Sequence, residues 1–176
     1  MFGEDAGRLP DPVVIEDYDP RWPRLFEMLR ARIGVVLDSL AISIEHVGSA
    51  AVPGLAAKPI IDIDVLIRSA ADLPLVIRKL ADLGYEHRGD LGVSGREVFR
   101  AEPDIVQHHL YVCPSGSREY ERHIMFRNYL RAHGADATAY GVLKRDLANK
   151  FHNDREGYNQ AKSEFVQRIL QRTLEE

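Results

Sequence analysis

The sequence predicts an α/β (α+β) domain: a mixed sheet flanked by helices over residues 13–117, followed by a C-terminal helical segment over residues 118–176. Three observations carry this. Residues 60–67, IIDIDVLI, are a near-continuous β-branched and apolar run, the pattern of a strand covered on both faces. Trp22, Leu25, Phe26, Leu29, Ile33, Val36 and Leu37 recur at helical spacing. Beyond Ser115-Gly116-Ser117 the two-residue period of strands gives way to a helical one.

Taken in order, residues 1–12 are rich in Gly, Asp and Pro and read as a flexible tail ahead of a single domain over 13–176. Val13-Val14-Ile15 suits a short edge strand, and Asp19-Pro20 reads as the N-cap and first residue of a helix reaching Leu37. Ile42 to Val47 is the first sheet strand. A loop rich in small residues from Gly48 to Pro59 leads to the second strand, Ile60 to Ile67. Asp72 is placed to cap a helix that carries Pro74 in its first turn and ends at Gly84. Tyr85–Arg88, Glu97–Ala101 and Gln107–Val112 read as strands. The GDLGVSG stretch at 89–95 joins the first two, as a hairpin connection or as a mobile loop over a site. Helices are expected over roughly 118–133, 136–150 and 155–173, with Ser117 and Asp154 as N-caps and Gly134 breaking the first pair.

Composition narrows the function classes. With 45% hydrophobic and 28% charged residues in 176, the chain builds one ordinary core and is not a mostly disordered protein. A net charge of −4 gives no reason to expect nucleic-acid binding. The sign is uneven: residues 1–117 hold 12 Lys and Arg against 18 Asp and Glu, whereas residues 118–176 hold 11 against 9. A mildly basic C-terminal part could thus face an acidic site across a bound anion, or simply be a solvated surface. The single cysteine, Cys113, suits a reducing cytoplasm, and neither a signal peptide nor a membrane span is expected.

Chemistry concentrates in residues 46–64, HVGSAAVPGLAAKPIIDID. Alternate strand residues share a face, so Asp62 and Asp64 point the same way from Cα atoms roughly 6.6 Å apart. Paired carboxylates beside the Gly48-Ser49 turn suit a divalent metal next to a polyphosphate, with turn N–H groups and a hydroxyl on phosphate oxygens. The structural alternative is an acidic outer face on an edge strand. In QHHLYV, His109 and Tyr111 share one face and His108 and Leu110 the other, so one histidine looks toward the carboxylates if the strands are neighbours. A structural histidine is the alternative there too.

Six stretches carry a resemblance: YDPRWPRLFE, IEHVGSAAVPGLAAKPIIDI, HHLYV, ERHIMFRNYLRAHG, YGVLKRDLANKF and DREGYNQAKSEF. Together, over about residues 13–170, they closely resemble the GrpB family. The resemblance implies a nucleotidyltransferase-like fold, and some relatives are fused to dephospho-CoA kinase. It also implies a site in which Asp62, Asp64 and His109 bind Mg²⁺ (or Mn²⁺) and act in catalysis, with His109 where the pattern would place a third acid. Gly48, Ser49, Lys58, Lys144, Arg155 and Lys162 would hold the phosphates of a nucleoside triphosphate whose nucleotidyl group passes to a small-molecule acceptor. Each of the four cations also reads as a plain surface residue, and Tyr140 and Tyr158 as either base-stacking or core residues. Two other readings stand beside transfer. One is an inactive nucleotide- or anionic-metabolite-binding module with a link to coenzyme A metabolism. The other, a His/Asp metal hydrolase built on His108 or His109 with Asp62, lacks supporting His spacing.

Overall fold

The computed structural model describes residues 12–175, so the tail expected over residues 1–12 lies almost wholly outside it. A five-stranded mixed sheet is formed by β1 (Ala41–Val47), β2 (Ile61–Ile67), β3 (Glu86–His87), β4 (Glu97–Arg100) and β5 (His108–Pro114), in the order β1-β2-β5-β4-β3. Only β2 and β5 run parallel; every other neighbouring pair is antiparallel. The helices are α1 (Trp22–Leu37), α2 (Leu73–Ala81), α3 (Arg118–Ala132), α4 (Gly134–Lys150) and α5 (Arg155–Arg172).

The central strand forms for the reason its sequence suggests. Ile61, Ile63, Val65 and Ile67 are all 0–1% exposed and pack against Trp22, Phe26, Leu29, Ile33 and Leu37 of α1 and Val76 and Leu80 of α2. Each such side chain contributes roughly 1.5–3 kcal/mol through burial. A second apolar cluster ties Val52 and Leu55 of the small-residue loop to Tyr129 and Leu130 of α3, Tyr140 of α4 and Phe165 and Ile169 of α5. The helical segment is thereby fastened to the loop that precedes β2. The open face of the sheet, with Asp62 on it, is left to border a cleft.

Several boundaries differ from expectation, each for a local reason. The regular helix α1 begins at Trp22, two residues after Pro20, while the Asp19 carboxylate accepts the Arg21 backbone N–H at 2.8 Å as an N-cap does and also takes the Arg21 guanidinium. Val13–Ile15 forms no strand; the stretch is held by Val13 N–H donating to His152 O and by one antiparallel bridge, Glu16 to Ala57. Asp72 precedes α2 without a side-chain cap, while the Ser69 hydroxyl caps the short 3₁₀ turn before it. Gly134 opens α4, with His133 alone separating it from α3. Ser117 and Asp154 do cap α3 and α5, accepting from Tyr120 and Gly157 N–H. The 89–95 stretch is a hairpin connection between β3 and β4.

Candidate active site

Register builds the site. Along β2, Asp62 stands opposite His109 of the parallel β5, and Asp64 opposite Tyr111. Parity is as the sequence indicates. His109 lies on the carboxylate face, with Nδ1 donating to Asp62 Oδ1 at 2.9 Å. His108 points to the opposite face, where it pairs with the Tyr85 hydroxyl at 2.7 Å and Val106 O at 2.8 Å.

The glycine-serine bend meets Asp62 closely. Gly48 has φ +73° and ψ −174°, a region open essentially to glycine alone. A Cβ built on Gly48 would sit 2.3 Å from Asp62 Oδ2. Glycine here therefore lets the carboxylate lie directly against backbone. Ser49 opens a 3₁₀ turn, Ser49–Ala51.

Asp64 is a different kind of group. Its side chain is 0% exposed, and Oδ2 accepts from His123 Nδ1 of α3 at 2.7 Å while Oδ1 has no partner. Burial raises the Asp64 pKa, with the His123 hydrogen bond opposing it. Burial acts to raise that of Asp62 too, but there the His109 hydrogen bond and the charges of His109, His123 and Lys162 outweigh it and hold the carboxylate below its usual range. The expected trio of Asp62, Asp64 and His109 is therefore divided between two His–Asp pairs. Among the described residues, no group of three His, Cys, Asp or Glu side chains is arranged to hold a metal ion.

Asp62 and His109 open into a cleft of about 740 Å³ between the sheet and the helical segment. Ser49, Lys58, Lys144, Arg155 and Lys162 line it as well, so three separate elements bring the expected cations together. Gly48 and Asp64 are not among the residues that line it. The Nζ atoms of Lys58 and Lys162 lie 4.7 and 4.8 Å from the centre of one ring, Tyr158. Lys144 is 2% exposed and donates to Ala56 O. None of the three lysines contacts a carboxylate among the described residues. Burial, with Lys162 and Arg155 nearby, pushes the Lys58 ammonium down to about 8; burial, with Lys162 and Lys58 nearby, pushes Lys144 down to about 7. Crowded, desolvated ammoniums with no carboxylate partner among the described residues make this side of the cleft favourable to an anion. Tyr140 and Tyr158, at 3% and 1% exposure, are core residues rather than platforms for a base.

Sequence reasoning missed His123, Arg96 and Arg100. His123 belongs to a polar stripe on α3 at spacing four. His123 holds Asp64, Arg127 reaches Glu45 Oε2 and His46 O at 2.7 and 2.9 Å, and Arg131 reaches Ala51 O at 2.9 Å. That spacing was a usable signal, hidden because an apolar stripe is the usual mark of a buried helix face. Arg96 and Arg100 flank Val98 at a period of two and line the cleft with Tyr111.

Known proteins resemble this chain in sequence and fold. A relative from Halalkalibacterium halodurans is 37% identical over 170 residues, 91% of this chain and 82% of that protein. The crystal structure of the conserved protein GrpB from Enterococcus faecalis superposes with a TM-score of 0.83 at 35% identity, covering 92% of this chain and 98% of that one. Cid1 poly(U) polymerase, in a mutant form bound to MgATP, superposes with a TM-score of 0.55 at 10% identity, over 77% of this chain and 44% of that one. That likeness establishes a nucleotidyltransferase-like fold. A dephospho-CoA kinase of Mycolicibacterium paratuberculosis is 22% identical across 84% of this chain, matching 42% of its own length. Among the described residues no helix is long and apolar enough to cross a membrane. The model of GrpB protein matches residues 12–172, and the chain belongs to the GrpB family.

Proposed function

We propose that the cleft binds a nucleoside triphosphate with Mg²⁺ or Mn²⁺ and that the chain transfers its nucleotidyl group to a small acceptor. One observation carries the reading: the Asp62–His109 pair shares a single cleft with Lys58, Lys144, Lys162 and Arg155, the lysines having no counter-carboxylate among the described residues. Three or four fixed cations suit a polyphosphate, and phosphoryl-type chemistry asks of a protein mainly positioning and charge neutralisation. Mg²⁺ is commonly held by one or two carboxylates plus substrate phosphates rather than by an all-protein cage. Asp62, which lines the cleft, fits that pattern; Asp64, buried beside it on the same strand face, would add its unpartnered Oδ1 only on turning toward the cleft. When bound, the ion neutralises phosphate charge.

The chain's own residues do the rest. Ser49 and the lysines hold the phosphates. The acceptor hydroxyl oxygen bonds to the α-phosphorus as the bond from that phosphorus to the β-bridging oxygen breaks and pyrophosphate leaves. With Nδ1–H directed at Asp62, His109 offers Nε2 to take the hydroxyl proton.

A second reading, a nucleotide- or anionic-metabolite-binding module without turnover, is favoured by the closure of each carboxylate on a histidine. Its link to coenzyme A metabolism draws on the dephospho-CoA kinase likeness. Incubation with each labelled triphosphate, Mg²⁺ or Mn²⁺ and a metabolite extract separates the two. Pyrophosphate release supports transfer; binding without release supports the module.

Protonation should govern polyphosphate affinity. Lys58 and Lys144 bind an anion only when charged, so tripolyphosphate affinity should fall about tenfold or more as pH rises through 7 and 8. The ligand-free protein should do the opposite. Its unfolded lysines keep protons up to about 10.5, so the unfolded state binds more protons between 7 and 10.5 and stability rises with pH. Calorimetry and thermal melts across this range check both signs; an affinity independent of pH would remove the lysines from the phosphate site.

A further inference from the structure

The cleft has a second cationic wall, on the far side of β5 from the carboxylate strand. Arg96 immediately precedes β4, and Val98 pairs in register with Tyr111, so positions 96, 98 and 100 border the same space as Tyr111. The Arg96 guanidinium carbon lies 4.6 Å from the centre of the Tyr111 ring. Its Nε is buried and has no hydrogen-bond partner. Neither Arg96 nor Arg100 is ion-paired among the described residues. The nearby acids are already engaged, Asp62 by His109 and Asp64 by His123. A buried N–H without an acceptor is costly to leave unmade. A guanidinium fixed on an aromatic face presents a planar fork that matches one carboxylate or one phosphate, unlike a group of lysine point charges.

We infer that the acceptor is an anionic small molecule, bearing a carboxylate or a phosphate monoester that Arg96 holds, with Arg100 beside it, at the β4 wall. The inference takes the word acceptor from the nucleotidyl-transfer reading; the anion subsite itself rests on the Arg96 geometry. The polyphosphate lies against Lys58, Lys144 and Lys162, the acceptor's charge against Arg96, and the sheet order places His109 on the strand between β2 and β4. An acceptor anchored by its anionic end would bring a hydroxyl on its other end to the His109 side.

The probes are glycerol 3-phosphate and glycerate, with glycerol as the neutral control. Each is titrated calorimetrically into the protein alone and into the protein saturated with Mg²⁺ and a non-hydrolysable triphosphate. One or both anionic probes should bind in both states, and glycerol in neither; which of them binds separates phosphate from carboxylate. Arg96→Gln should weaken the probe at least tenfold while changing triphosphate affinity less than twofold, and Lys162→Gln should do the reverse. Should Arg96→Gln not fold, Arg100→Gln, at an exposed position, should weaken the probe severalfold. Displacement of the probe by triphosphate, equal binding of glycerol, or a folded Arg96→Gln that binds the probe as before overturns the inference. If no triphosphate binds but the probe binds through Arg96, the transfer reading fails and the anion subsite stands.

Discussion

Gly48→Ala should abolish triphosphate binding and destabilise the fold by roughly 2 kcal/mol or more. Two effects coincide at this position. The backbone, at φ +73° and ψ −174°, is where a side chain is strained whatever the space around it. The new methyl would also stand 2.3 Å from Asp62 Oδ2, so either the bend or the carboxylate must move. Movement of Asp62 breaks its 2.9 Å contact with His109 and displaces the Ser49 turn beside it. Urea unfolding reads the first effect and nucleotide calorimetry the second. A variant with wild-type stability and affinity would mean that the bend and Asp62 are not coupled.

His123→Ala should be comparably severe for stability, on the order of 3 kcal/mol. Asp64 is wholly buried and His123 is its hydrogen-bond partner, the other carboxylate oxygen being unpartnered already. Removing the imidazole leaves a desolvated carboxylate that must ionise alone or take up a proton. The double variant His123→Ala, Asp64→Asn should recover part of the loss, since an amide carries no charge to strand. Additive losses in chemical denaturation would show that the pair does not act as a unit.

How far these features could be read from the residues depends on the range over which each is set. IIDIDVLI announces a central strand because its pattern is local, and the parity of Asp62, Asp64 and His109 follows from strand geometry once β2 and β5 pair. The start of α1 is legible to within two residues: Asp19 accepts the Arg21 N–H as a cap should, and the Arg21 side chain, invisible to a capping rule, folds back on the same carboxylate. Val13–Ile15 has strand-like residues, yet Val13 bonds to His152 between α4 and α5, and the neighbouring Glu16 bridges to Ala57 in the loop before β2. The division of the carboxylates between His109 and His123 depends on how α3 crosses the sheet, a tertiary fact with no local signature. Arg96 was legible only as part of a hairpin, and its place over Tyr111 needs the register of β4 on β5.

The most direct test of the site is calorimetric titration of an Mg²⁺-bound, non-hydrolysable triphosphate into the wild-type protein and into Asp62→Asn. That variant keeps the shape against Gly48 and removes the charge that faces the cleft. Saturable binding to the wild type that falls at least a hundredfold in Asp62→Asn, and disappears from the wild type when Mg²⁺ is chelated, is the predicted result. Equal affinity in the two proteins would contradict it.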